Sequence, residues 1–416
     1  MKKIEIAGGK PLSGNLKIQG AKNSVLPILA GAMLNAGKTV IHNCPDLSDV
    51  HSAFKILRNL GCDVYFSDNT VTVNSENINC SVIPSNLMRE TRSSVMFLGS
   101  IISRCDEACI SAPGGCNIGE RPIDLHIKAF RELGIDITET DEYIYCKLTG
   151  EVLGGDITLS FPSVGATENI MLLTAKSNNV TTISNAAMEP EIIDLQNFLN
   201  AMGANISGAG TDTITIHGVE RFKKDIEYTV IPDRIAAATY LCAVAGTGGK
   251  ITLENVIPEH IDTVISILRK MGCQVLQYDD RVTLISGGKL KAIAGIETLP
   301  YPGFPTDAQA PIMAAFCKTK GTAIFIENLF EGRFKHIAEL KKMGADIVQF
   351  KNTAAVSGVK RLRGAEVIAT DLRCGAALVI AGLMAKGKTT VLSAEYIDRG
   401  YESMVEDLRS LGARIL

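Results

Sequence analysis

Apolar residues recur at helical spacing at Val50, Ala53, Phe54, Leu57 and Leu60, and again at Val264, Ile267, Leu268 and Met271. A glycine stops each run, at Gly61 and at Gly272. Beyond the glycine the pattern changes to β-rich. Residues 62–66 lead through Ser67-Asp68-Asn69 to Thr70-Val71-Thr72-Val73, and residues 274–278 lead through Asp279-Asp280 to residues 282–285. The pattern predicts an amphipathic helix followed by a hairpin.

The same signature, Leu or Met, then Gly, then a small or apolar residue, ends at Gly61, Gly134, Gly203, Gly272, Gly344 and Gly412, roughly 70 residues apart. Ahead of the amphipathic helix most units carry a second helix rich in small residues, at 27–34, 170–175, 236–245, 310–316 and 377–385. An apolar strand follows it at 37–41, 249–253 and 387–391. Each unit therefore reads strand, helix, strand, helix, strand, strand, and six such units account for the chain. The expected fold is α/β, built from six βαβαββ repeats and lacking a dinucleotide-binding glycine fingerprint. The polar stretch at 220–225 is the expected domain break, with three units on each side.

Composition narrows the function. The chain has 416 residues, enough for two or three domains, and a net charge of −3 without a basic stripe, so no nucleic-acid partner is expected. Its apolar runs are too short for a membrane span, and the N-terminus carries no apolar signal segment. Eleven cysteines in no regular framework, and six scattered histidines, suggest reduced thiols in the cytoplasm and no metal site.

One stretch breaks the repeat. In the second unit the expected turn is replaced by Pro113-Gly114-Gly115-Cys116-Asn117-Ile118-Gly119-Glu120-Arg121-Pro122. Glycines cost about 1 kcal/mol each inside a helix, so this reads as a loop presenting a thiol. Arg121, five residues from Cys116, favours the thiolate. Other short motifs fall where a strand runs into the first helix of a unit, a place that favours anions. They include Lys22-Asn23, Arg92-Ser93-Ser94, Ser163-Val164-Gly165, Asp233-Arg234, Thr306-Asp307 and Asp371-Leu372-Arg373, with Arg333 and Arg399 later in their units. Lys22, Arg92, Arg121, Arg333, Arg373 and Arg399 together suit a substrate bearing phosphate and carboxylate groups. Asp307 is either a general base or an ordinary helix N-cap.

At these motifs, and at Asp124-Leu125-His126, Glu189-Pro190-Glu191 and Asp398-Arg399-Gly400-Tyr401-Glu402, the chain resembles the UDP-N-acetylglucosamine 1-carboxyvinyltransferases of the enolpyruvyl transferase family. The match runs from near residue 4 to the end. The resemblance implies two inside-out α/β barrels with helices inside, residues 22–230 forming one and residues 1–21 with 231–416 the other. It implies a cleft between them that closes on the UDP-sugar, with the Cys116 loop as lid. The implied reaction moves the enolpyruvyl group of phosphoenolpyruvate to the sugar 3-hydroxyl and releases phosphate, without a cofactor or metal. By the same resemblance Asp307 accepts the hydroxyl proton, and Cys116 protonates the phosphoenolpyruvate methylene and can bond to it. Lys22, Arg121 and Arg399 hold the phosphate, and Asn23, Arg92, Arg333 and Arg373 complete the anion site. Arg121, Pro122, Ile123, Asp124 and Leu125, with Ser163, Val164 and Gly165, meet the nucleotide, and Leu329 lies near the sugar. Phe161-Pro162 stands where some members carry a lysine.

Two other functions remain open at this point. 5-Enolpyruvylshikimate-3-phosphate synthase shares the implied fold and chemistry but lacks the Gly-Gly-Cys loop. A non-catalytic nucleotide-sugar-binding module would have no use for Cys116 and Asp307 together. The state of Cys116 is open too, because a nucleophile is a thiolate and an acid must carry a proton.

Overall fold

The computed structural model describes residues 2–90, 92–111 and 123–416, the side chains of Arg92 and Ser93 apart. The described chain forms two compact units. One takes residues 2–19 with Pro232–Leu416, and the other takes the described residues between 20 and 231. The polar stretch at 220–225 is not the break expected of it. The strand Ile226–Thr229 comes after it and pairs in parallel with Lys38–His42, inside the second unit.

Each unit holds three four-stranded sheets with one shared pattern. In every sheet the first two strands are parallel, and the third and fourth join antiparallel. The six units expected in linear order are permuted at their edges. Leu12–Lys17 supplies the first strand of the sheet built on Gly249–Glu254, and Lys3–Ala7 supplies the third strand of the sheet built on Lys388–Leu392. Ile226–Thr229 then fills the vacancy in the first sheet. The strand preceding Lys22 thus serves the far half of the chain, a non-local pairing that a local pattern does not encode.

Six helices fill the middles of the units: Lys22–Gly31, Phe97–Cys105 and Val164–Thr174 in one, Arg234–Thr247, Thr306–Phe316 and Leu372–Met384 in the other. Every residue of Leu372–Met384 is buried. A helix with neighbours on all sides has no polar face to present, which is why five of these segments show little amphipathic period; Phe97–Cys105, with Arg104 half-buried at its end, keeps one. Small residues allow the close approach. A Cβ on Gly99 would lie 2.5 Å from the Asn169 carbonyl oxygen. The second unit has its inner helix too, Phe97–Cys105, preceded by a 3-10 turn at Arg92–Met96. No helix among the described residues is long and apolar enough to cross a membrane.

The repeat glycines have a conformational cause. Gly61, Gly134, Gly203, Gly272, Gly344 and Gly412 all have φ between 87° and 117°, the left-handed region where a side chain is strained. A second repeated device emerges only in three dimensions. Asn43, Asn185 and Asn255 follow a strand with φ of 55°. Their side-chain amides donate to the carbonyls of Val230, Leu159 and Ile18 at 2.8, 2.7 and 2.7 Å. Those carbonyls lie four or five residues ahead of the inner helices that begin at Arg234, Val164 and Lys22, so each Asn pins the chain leading into a helix N-terminus.

Candidate active site

In the unit with Pro232–Leu416, the starts of the inner helices gather around Asp307. The Thr306–Phe316 helix has Pro305 at its N-cap position, so Asp307 lies inside the first turn. The capping role weighed for it falls instead to Asp233 and Asp371 in the neighbouring helices. Asp233 Oδ1 accepts from the N–H of Ile235 and Ala236 at 2.8 and 2.9 Å, and Asp371 Oδ1 from Arg373 and Cys374 at 2.9 and 3.0 Å.

The Asp307 oxygens turn to two arginines. Arg333 Nη2 donates to Oδ1, and Arg373 Nη2 to Oδ2 at 3.0 Å. The arginine side chains are 3% and 7% exposed and the aspartate 25%, so the carboxylate is the most exposed of the three. Burial opposes the charge on Arg373, but Asp307, Tyr401 and Asp233 together outweigh it and hold the guanidinium pKa above that of ordinary arginine. Arg373 Nη1 also donates to the buried Tyr401 hydroxyl at 3.4 Å, and Tyr401 meets Thr239 Oγ1 at 2.7 Å. Arg333 Nε donates to Thr306 Oγ1 at 3.1 Å, and Thr306 in turn donates to the buried Glu327.

Behind Arg333 lies His336, whose pKa burial pushes down to about 4 against the pull of Asp371. As neutral imidazole it donates from Nδ1 to the Arg333 carbonyl at 3.1 Å and turns Nε2 to Met313 Sδ at 3.2 Å. The folded pKa is below the unfolded one. The stability that depends on neutral His336 is therefore complete above about pH 6.5 and is lost as pH falls toward about 4. Between about pH 7 and about pH 5 this amounts to roughly 2 kcal/mol. In urea unfolding His336→Asn, which retains an N–H donor, is expected to lose less stability over that interval than the parent. An equal loss would assign the acid sensitivity to another group.

In the other unit Lys22 opens its inner helix, and its Nζ lies 2.5 Å from Oδ2 of buried Asp49, in the first turn of Ser48–Asn59. Asn23 follows, half-buried. Ser163 caps Val164–Thr174 by accepting from the Ala166 N–H at 3.3 Å, so Val164 and Gly165 form a helix N-terminus suited to an anion. A Cβ on Gly165 would lie 3.2 Å from His126 Cε1, and His126 Nδ1 lies 3.0 Å from the Asn169 amide. Ile123 is the N-cap residue of Asp124–Glu132, which carries exposed Asp124 and half-buried Leu125 in its first turn. Next to the Glu189-Pro190-Glu191 motif, burial holds the Glu168 carboxyl well above the usual range, with the charges of Glu191 and Glu189 adding to the effect.

The structure thus brings together Asp307, Arg333 and Arg373 in one unit, and it pairs Lys22 with Asp49 in the other. Leu329 stands beside Asp307's neighbours through Glu327, and Arg399 closes the 3-10 turn Ala394–Arg399, two residues before Tyr401. Cys116, Arg121, Pro122 and the Arg92 side chain lie outside the described residues. Thr306 and Tyr401 were present in the sequence motifs without a role. Glu327 and Asp49 gave no signal, being single acidic residues at a strand end and in a helix first turn.

Solved structures that this chain is similar to include enolpyruvyl transferases. The enolpyruvyl transferase NikO from Streptomyces tendae matches with a TM-score of 0.89 at 26% identity, over 100% of this chain and 98% of that one. An EPSP synthase from Acinetobacter baumannii matches with a TM-score of 0.78 at 18% identity, over 100% and 99%, which shows a shared fold. The UDP-N-acetylglucosamine 1-carboxyvinyltransferase 2 of Caldanaerobacter subterraneus subsp. tengcongensis is 51% identical over 100% of this chain and 99% of its own. The UDP-N-acetylglucosamine 1-carboxyvinyltransferase of Finegoldia magna is 46% identical over 100% and 98%. A family model described as EPSP synthase (3-phosphoshikimate 1-carboxyvinyltransferase) matches residues 6–408, and on these findings the chain belongs to the carboxyvinyltransferase, or enolpyruvyl transferase, family.

Proposed function

We propose that this enzyme transfers the enolpyruvyl group of phosphoenolpyruvate to the 3-hydroxyl of UDP-N-acetylglucosamine and releases phosphate, opening peptidoglycan synthesis. The observation that carries the reading is the Asp307 carboxylate, held on both oxygens by buried arginines and itself more exposed than either of them. Such a group is oriented to accept the proton of an incoming hydroxyl. Cys116 delivers a proton to the phosphoenolpyruvate methylene, which makes the adjacent carbon electrophilic. The sugar oxygen bonds to that carbon. Departure of phosphate and return of a methyl proton to the Cys116 thiolate restore the double bond. Lys22, Arg121 and Arg399 hold the phosphate, and Asn23, as a neutral donor, completes the anion site with the cations Arg92, Arg333 and Arg373. Ile123 to Leu125 and Ser163 to Gly165 take the nucleotide, and Leu329 the sugar. The reading places the enzyme in the cytoplasm, with small-molecule substrates as its partners.

The relatives at 46–51% identity, named for UDP-N-acetylglucosamine, support this acceptor. The family model named for 3-phosphoshikimate keeps a second acceptor as the less supported reading. Phosphate release is to be measured with phosphoenolpyruvate plus either acceptor. Release with the UDP-sugar alone is expected. Release only with shikimate 3-phosphate favours the second reading, and release with neither supports a non-catalytic module.

A further inference from the structure

Glu327 is a buried carboxylate that the proposed reaction leaves without a role. It follows the strand Thr322–Ile326 and is 3% exposed. Its Oε1 accepts from the Leu329 and Phe330 N–H groups at 3.0 and 3.2 Å. The Thr306 hydroxyl lies 3.1 Å from Oε1 and 3.0 Å from Oε2. A carboxylate only accepts, so the hydroxyl must aim its hydrogen at Glu327 and keep its lone pairs for another donor. That donor is Arg333 Nε, 3.1 Å away, which the hydroxyl shares with the Thr306 carbonyl at 3.3 Å. A guanidinium is a rigid plane, so holding Nε fixes the direction in which Nη2 reaches Asp307 Oδ1. The turn that Glu327 holds also places the Phe330 ring under the same guanidinium, 5.6 Å from ring centre to Cζ.

We propose that Glu327 is a positioning residue. It sets the polarity of the Thr306 hydroxyl and, through it, the plane of the arginine that orients Asp307. The inference rests on the base role proposed for Asp307. Glu327 makes no contact with substrate in this scheme. Its effect reaches the reacting hydroxyl through three side chains, and a misplacement of that kind lowers turnover without abolishing binding.

The test measures kcat, both KM values and the urea-unfolding midpoint for the parent, Glu327→Gln, Thr306→Val, their double variant and Thr306→Ser. Glu327→Gln and Thr306→Val are each expected to lower kcat about tenfold or more, with KM for phosphoenolpyruvate within about threefold. The double variant should fall no further than the worse single, since both cut one chain of contacts. Thr306→Ser, which keeps the hydroxyl, should stay within about threefold of the parent. A folded Glu327→Gln with parental kcat overturns the inference, as do two losses that multiply in the double variant. Should Thr306→Val fail to fold, the contrast between Glu327→Gln and Thr306→Ser still decides. An inactive parent overturns the proposed function and this inference with it, whereas an active parent with an unimpaired Glu327→Gln overturns only the inference.

Discussion

Asp307→Asn is expected to lower kcat by about 10²–10⁴-fold while the UDP-sugar still binds. Asparagine has the size and planar shape of aspartate, and Asp307 does not cap its helix, so the backbone has no reason to move. The amide nitrogen cannot accept a proton. It would also face one of the two guanidinium groups that now donate to the carboxylate, so one arm of the clamp becomes a donor meeting a donor. Part of the loss would then be disorder in Arg333 or Arg373 rather than the missing base. Calorimetric affinity for the UDP-sugar and the urea-unfolding midpoint separate the two. Intact affinity with collapsed turnover locates the defect in proton transfer. Near-normal turnover in a variant that binds normally would sink the base assignment.

The second large effect concerns alkylation. Fosfomycin, an epoxide phosphonate, is expected to label Cys116 and inactivate the enzyme, faster when the UDP-sugar is bound. The structure shows what the other thiols offer. Burial pushes Cys62, Cys146 and Cys317 up to about 12 and Cys374 to about 11, and it raises Cys242 and Cys273 as well. These sulfurs are neutral at physiological pH and shielded, so they are poor nucleophiles. Cys105 and Cys109 are only half-buried, yet burial raises both, and neighbouring acidic groups that include Glu107 raise them further. Those charges also repel a phosphonate. Cys80, half-buried in the same unit, is the competitor that the sequence did not single out. Cys116 lies beyond the described residues, so its claim rests on its glycine-flanked sequence and on Arg121. Peptide mapping by mass spectrometry after limited alkylation decides between them. The adduct should sit on the Cys116 peptide and vanish in Cys116→Asp. Labelling that persists in that variant, or that starts at Cys80, removes the basis for a reactive centre in this loop.

Much of the fold is legible along the chain. Six glycines that must adopt positive φ mark six repeats, because no other residue takes that conformation at so little cost. The amphipathic outer helices and their hairpins carry the period that one buried face imposes. The inner helices are only half legible. Without a polar face, their apolar pattern becomes clear only two to six residues after the true start, and the motif residues at the strand-to-helix junctions belong to the first helical turn. Lys22, Asp307 and Arg373 are all of this kind.

The repeat, the α/β class, the missing dinucleotide fingerprint and the short polar motifs at the helix starts can all be read along the chain. Each of these is local: a glycine conformation, an apolar period, a run of a few residues. Tertiary structure alone decided three other things. It decided which strands complete which sheets, since Leu12–Lys17 finds its partner more than 200 residues away. It decided that Asp307 is clamped rather than capping, because Arg333 and Arg373 reach it from separate units of the repeat. It also turned Glu327, one acidic residue among 45 Asp and Glu, into an anchor for the hydroxyl beside Asp307. A hydrogen bond depends on direction and on distances of a few tenths of an ångström, and neither is a property of a residue's place in the chain.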